Sequence, residues 1–114
     1  MKAETRDAAH LWDMREFARQ SHRLVRRIAF ARLQKDAVRR LALERALELL
    51  GEAARRVSSA FQVAHPEIDW RAIVGQRNVI AHAYGEISHR RLYDAARDRV
   101  PGLVASLDRL LGKD

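Results

Sequence analysis

The chain of 114 residues contains no cysteine, two prolines and five glycines. The missing cysteine rules out disulfides, thiolate nucleophiles and cysteine-based zinc sites, so any chemistry falls to His, Arg, Tyr or carboxylates. With so few helix breakers, nearly every long segment keeps a helical apolar period, and the sequence predicts an all-α protein. No apolar run approaches the length of a membrane span, and no basic start leads into an apolar core with a small-residue cleavage site. The expectation is a cytoplasmic chain with no membrane contact. Lysine is scarce too: only Lys2, Lys35 and Lys113 occur, and the rest of the 22 basic residues are arginines.

What is present fits one compact unit, expected to span 1–114. A 47% hydrophobic content can fill a core, and a 32% charged content keeps the surface wet. The net charge of +7 suits a polyanionic partner such as nucleic acid. Most of the excess comes early: residues 1–60 carry 14 basic and 8 acidic side chains, against 8 and 7 in residues 61–114. Arginine's planar fork suits phosphates, although codon bias accounts equally well for its abundance.

A first helix is expected from about Asp7 to Ala29, with Leu11, Met14, Ala18, Val25 and Ile28 on one side. Arg15, Arg19, Arg23 and Arg26 form a stripe on the other side, either a solvated face or a ridge that tracks RNA phosphates. Trp12 falls within that basic arc, placed for a partner helix or a stacked base. A second helix begins after the N-cap Asp36 and runs to about Ser58, with an apolar arc too broad for a single contact. Gly51 inside it costs about 1 kcal/mol relative to Ala, which suggests a close helix approach there. The row Glu44, Glu48 and Glu52 resembles a metal-binding stripe but is better read as i to i+4 pairs with Arg40, Arg45 and Arg56 on a wet face. His65-Pro66 breaks the chain, Asp69 caps a third helix from Trp70 to about Tyr84, and Gly85 is expected to end it. A last helical region covers Ser88 to Leu111, with Pro101-Gly102 kinking or splitting it.

The third helix carries the run Arg77-Asn78-Val79-Ile80-Ala81-His82-Ala83-Tyr84. These are groups for phosphate chemistry without a metal or cofactor: an arginine to neutralise a phosphodiester, a histidine to move protons at neutral pH, and a tyrosine hydroxyl. Five helical residues separate Arg77 and His82 by about 7.5 Å along the axis and about 140° around it. Both reach one phosphate only from a kinked or flanked site, which a symmetry mate could supply. A structural His82 fits the spacing as well. His10, His22, His65 and His89 form no metal-ligand spacing with one another or with His82, and His89 could flank the cleft without catalysing.

The stretch His65-Pro66-Glu67-Ile68-Asp69-Trp70-Arg71-Ala72-Ile73-Val74-Gly75-Gln76-Arg77-Asn78, ending in His82-Ala83-Tyr84, closely resembles the HepT-like branch of the HEPN superfamily. Asp36-Ala37-Val38 and Leu50-Gly51-Glu52-Ala53-Ala54 look like the same family's upstream signature, and the likeness extends over about residues 36–111. It implies a HEPN-type up-and-down bundle of four to five helices, homodimeric, with two copies of the motif facing each other across a cleft. It further implies a metal-independent ribonuclease toxin paired with a minimal nucleotidyltransferase antitoxin. Carried onto this chain, Arg77 and His82 are catalytic, Asn78 shapes the site, and Tyr84 is the side chain that the antitoxin adenylylates. Cleavage leaves a 2′,3′-cyclic phosphate. The other reading is a non-catalytic dimer that binds RNA or nucleotide and serves as a nucleotidyltransferase's partner subunit. The chain departs from relatives in the short Gly85-Glu86-Ile87-Ser88 segment and in Leu92-Tyr93, where a Trp-bearing stretch is expected.

Overall fold

A computed structural model describes residues 2–112 and shows an all-α bundle. In chain order the elements are α1 (Lys2–Val25), α2 (Phe30–Gln34), α3 (Ala37–Arg56), α4 (Ser59–Ala64), α5 (Trp70–His82), a 3₁₀ turn (Tyr84–Glu86), α6 (His89–Asp94), a π turn (Ala95–Arg99) and α7 (Val100–Leu110). No helix among the described residues is long and apolar enough to cross a membrane.

The starts of four helices follow from side chains that satisfy otherwise unpaired backbone N–H groups. Asp36 accepts from Arg39 N at 3.0 Å, Asp69 from Ala72 N at 3.2 Å, Ser58 from Phe61 N at 3.2 Å and Ser88 from Arg91 N at 3.3 Å. The first helix differs from expectation, starting before Asp7 and stopping at Val25. Asp7 lies inside it, buried, and its carboxylate accepts from the Ser58 backbone N at 2.9 Å and the Ser58 hydroxyl at 2.7 Å. The third helix also stops earlier than expected, at His82 with Ala83 as its cap. Gly85 does not act as a left-handed terminator: among the described residues only Gly112 has positive φ. Phe30–Gln34 and Ser59–Ala64, too short to show a period, form helices in segments expected to connect.

The core joins Leu11, Met14, Ala18 and Val25 of α1 to Leu43, Leu47, Leu50 and Ala54 of α3 and to Tyr93, Ala96, Val100 and Leu107 further on. Helix α3 is shared: α1 packs against it and so does α5, while α1 also packs against α7. This double contact explains the broad apolar arc. Where α5 meets α3, Gly51 has no room for a side chain, since a Cβ there would lie 2.2 Å from Arg77 Cβ and 3.0 Å from the Ile73 carbonyl oxygen. Tyr93 is buried and donates its hydroxyl to the Ile28 carbonyl at 2.6 Å, with Phe30 edge-on at 5.6 Å between centroids.

The last helical region runs through Pro101 as helix and widens into the π turn just before it. Proline has no N–H for the carbonyl four residues back, and its ring crowds that carbonyl, so the preceding turn opens. Within this turn the Ala96 carbonyl accepts from His22 Nδ1 at 3.0 Å, tying it to α1.

Gly51→Ala tests the close approach. Helix propensity alone favours alanine by about 1 kcal/mol, but overpacking against Arg77 costs about 1–3 kcal/mol. Urea unfolding is expected to show a net loss for Gly51→Ala and a larger one for Gly51→Val; an unchanged or raised midpoint contradicts the tight crossing.

Candidate functional site

The crossing of α3 and α5 decides where the motif's arginine goes. Gly51 lets α5 approach, and the next residue, Glu52, meets Arg77: Arg77 Nη2 lies 3.1 Å from Glu52 Oε1. Arg77 Nη1 donates to Asn78 Oδ1 at 3.0 Å. The guanidinium is thus held from two sides with its side chain only 19% exposed. Its Nε is buried and has no partner among the described residues. An unmet buried donor carries a desolvation cost of about 1–3 kcal/mol, the kind of local expense that functional positions retain.

Glu52 is the hub of a cationic cluster. Arg55 Nη2 lies 2.8 Å and Arg56 Nη2 3.2 Å from Glu52 Oε2, so three guanidiniums share one carboxylate and leave a local excess of positive charge. The hydrogen bond from Arg55, with Arg77 and Arg56 nearby, holds the Glu52 carboxyl below its ordinary value of 4.5. The carboxylate row is therefore committed, though not all of it as a wet face. Glu48 pairs with Arg45 at 3.3 Å. Glu44 is buried and has no contact with Arg40; its Oε2 meets His89 Nε2 at 2.6 Å, an interaction across 45 residues that local spacing does not reveal.

The rest of the motif faces outward. His82, in the last turn of α5, is exposed and makes no hydrogen bond or ion pair among the described residues. Tyr84 does not pack beside Trp70, Ile73 and Ile80 as a continued helix would have it; it sits in the 3₁₀ turn, 62% exposed. The structure thus brings Arg77 and Asn78 together and leaves His82 on a different side of a regular helix. In an α-helix the two positions stand about 140° apart around the axis.

The basic stripe of α1 divides. Arg15 is a correction: its side chain is 4% exposed, Nη1 contacts Asp108 Oδ1 at 3.1 Å, Nε lies 3.4 Å from Glu16 Oε2, and the guanidinium stacks 4.1 Å over Trp12. It cannot meet RNA because it joins α1 to α7, a partnership between positions 93 apart that a helical wheel does not show. Arg19, partly exposed, reaches the same Asp108 and Glu16 at 3.6 Å each. Arg23 and Arg26 remain exposed. Helix α1 packs mainly on α3 and α7. An apolar hollow of about 400 Å³ lies beside the N-terminal half of α5, lined by Leu47, Leu50, Ala72, Ile73, Val100 and Leu103, and His82 takes no part in it.

This is a helical bundle that presents an anchored arginine and a free histidine and tyrosine at the end of one helix. Residues 14–110 match the family model described as ribonuclease HepT-like, and the chain belongs to that family. It is similar to the "Probable ribonuclease HepT" of Thermococcus cleftensis, 31% identical over 110 residues that cover 96% of this chain and 98% of that protein. It is also similar to "Putative RNase MJ1380" of Methanocaldococcus jannaschii, 31% identical over 100 residues covering 88% and 92% of the two chains. A third relative, "Putative RNase TTE0752" of Caldanaerobacter subterraneus subsp. tengcongensis, is 29% identical over 90 residues, 79% and 80% of the two chains. No solved structure matches significantly.

Glu52→Gln tests the hub. Because the folded carboxyl titrates below its ordinary 4.5, the stability it contributes is complete above that value and is lost as pH falls through the folded one. Urea unfolding should show a loss of about 1–2 kcal/mol for the variant at neutral pH, narrowing well below 4.5. A difference that persists undiminished in acid contradicts an ionised hub.

Proposed function

We propose that the chain is a metal-independent endoribonuclease that acts as a homodimer, with Arg77 and His82 as its catalytic residues. The observation that carries this reading is the division of labour along α5: Arg77 is fixed by Glu52 and Asn78, while His82 is exposed and unengaged. A proton-transfer group must be free to meet its substrate, and a charge-stabilising group works best when already in place. Membership of a ribonuclease family supplies the substrate class. Since an α-helix separates the two groups around its axis, a second copy across a twofold axis completes the site. One His82 takes the ribose 2′-OH proton as that oxygen attacks phosphorus, the other donates a proton to the departing 5′-oxygen, and Arg77 stabilises the charge on the phosphoryl oxygens. The products are a 2′,3′-cyclic phosphate and a 5′-hydroxyl. Asn78 shapes the site by holding the Arg77 fork.

The same reading makes the chain the toxin of a toxin–antitoxin pair whose partner is a minimal nucleotidyltransferase. The accessible Tyr84 supports it as the adenylylated residue. An AMP group there sets a bulky anion two residues from His82 and repels the substrate phosphate.

The test is cleavage of RNA in excess EDTA by protein whose intact mass shows no AMP. His82→Ala and Arg77→Ala are each expected to lower the rate by about 10²-fold or more. An unmodified chain that binds RNA and leaves it uncut overturns the enzyme and favours the binding-subunit reading.

A further inference from the structure

The motif helix has a second flank that the catalytic reading does not use. Between α5 and the α6/π segment lies a groove of about 610 Å³, bordered on α5 by Gly75, Gln76, Val79 and Ile80 and on the far side by Arg91 and Arg99. The arginines of this segment fall into two sets. Arg90 pairs with Asp94 at 3.3 Å and Arg97 with Asp98 at 3.1 Å. Arg91 and Arg99 are exposed, and their guanidiniums make no hydrogen bond or ion pair among the described residues. They border this groove together with Gln76 and Glu86, and Arg99 and Gln76 also border the neighbouring apolar hollow.

Their alignment is a product of the π turn. In an uninterrupted α-helix, positions eight apart stand about 80° apart around the axis. The wider turn at Ala95–Arg99 takes up one extra residue, about 100° of rotation, and brings Arg99 to within about 20° of Arg91. The two lie about 10 Å apart along the axis. Pro101 opens the turn, and the turn converts two scattered charges into a row. On α5, Gly75 stands about 20° and Val79 about 60° around the axis from His82, both to the same side, so His82 lies beyond the Gly75 edge of the groove.

We propose that this groove binds single-stranded RNA flanking the cut, with Arg91 and Arg99 each meeting a different phosphate and the Gln76 amide meeting the nucleotide between them. Unpaired guanidiniums in a row recognise a polyanion, and at Gly75 nothing lies within 4 Å of where a Cβ would stand, which leaves room for a chain. The inference rests on RNA being the substrate.

The experiment measures affinity of a fluorescent twelve-nucleotide single-stranded RNA against salt, in a His82→Ala background that keeps the RNA intact, together with cleavage of long RNA and of a dinucleotide by the otherwise native chain. Arg91→Gln/Arg99→Gln is expected to weaken binding at least tenfold and to reduce the slope of log affinity against log salt by about 1.4, the value for two lost phosphate contacts on a single strand. It should raise KM for long RNA with kcat and dinucleotide cleavage unchanged. Arg27→Gln/Arg32→Gln changes net charge equally away from the groove and should leave the slope as it is, while Arg91→Lys/Arg99→Lys should restore it. If the groove variant and the control behave alike while His82-dependent cleavage persists, the groove assignment falls and the ribonuclease stands. If nothing is cut but the groove variant alone loses affinity and slope, the groove stands and the enzyme falls. A parent chain that binds no RNA overturns both.

Discussion

The structure turns on the near contact of two helices at one residue without a side chain. Gly51 lets α5 lie against α3 so closely that the Arg77 stem occupies the space a Cβ would fill. Once that stem is there, its guanidinium has one nearby carboxylate on the facing helix, Glu52, which also holds Arg55 and Arg56. The glycine's unfavourable helix propensity is thus tied to the arginine's position, and the arginine's position to a preset region of positive charge. The two ends of α5 are tethered less directly, through Asp69 at its start and through the part-buried Glu44–His89 contact that seats the segment following the 3₁₀ turn.

Much of this was legible in the sequence where the signal is local. Asp36 and Asp69 cap helices as their positions suggest, His65-Pro66 separates α4 from α5, and Gly51 marks a close approach. What sequence periodicity missed depends on partners far along the chain. Arg15 sits in a stripe that reads as solvent-facing, yet Asp108 draws it inside. Glu44 belongs to a row that reads as wet, yet His89 covers it. Asp7 reads as a helix start because nothing nearby announces Ser58. In each case a buried charge or carboxylate is stable because a specific distant group neutralises or hydrogen-bonds it.

For the site, the residue types and their spacing suggested phosphate chemistry, and the angular gap between Arg77 and His82 called for a kinked or flanked site that a symmetry mate could supply. The Glu52 hub was not foreseen, since nothing in a run of three glutamates distinguishes the one that faces another helix. Nor was the π turn: Pro101 signalled an irregularity, but whether a helix bends, breaks or widens there depends on packing, here on His22 and Tyr93 holding the segment in place. Among the late arginines, Arg90 and Arg97 are paired while Arg91 and Arg99 border a groove, so that charge in a strongly basic chain is divided between structure and a candidate substrate path.

The central claim is that the end of α5 cuts RNA by moving protons at His82 beside a fixed Arg77. It is tested most directly by the chemistry of the ends left on RNA incubated with unmodified protein in excess EDTA, read by mass spectrometry. The account predicts 2′,3′-cyclic phosphate and 5′-hydroxyl ends that disappear with His82→Ala. Ends bearing a 3′-hydroxyl and 5′-phosphate, or cleavage that survives the loss of His82, contradict it.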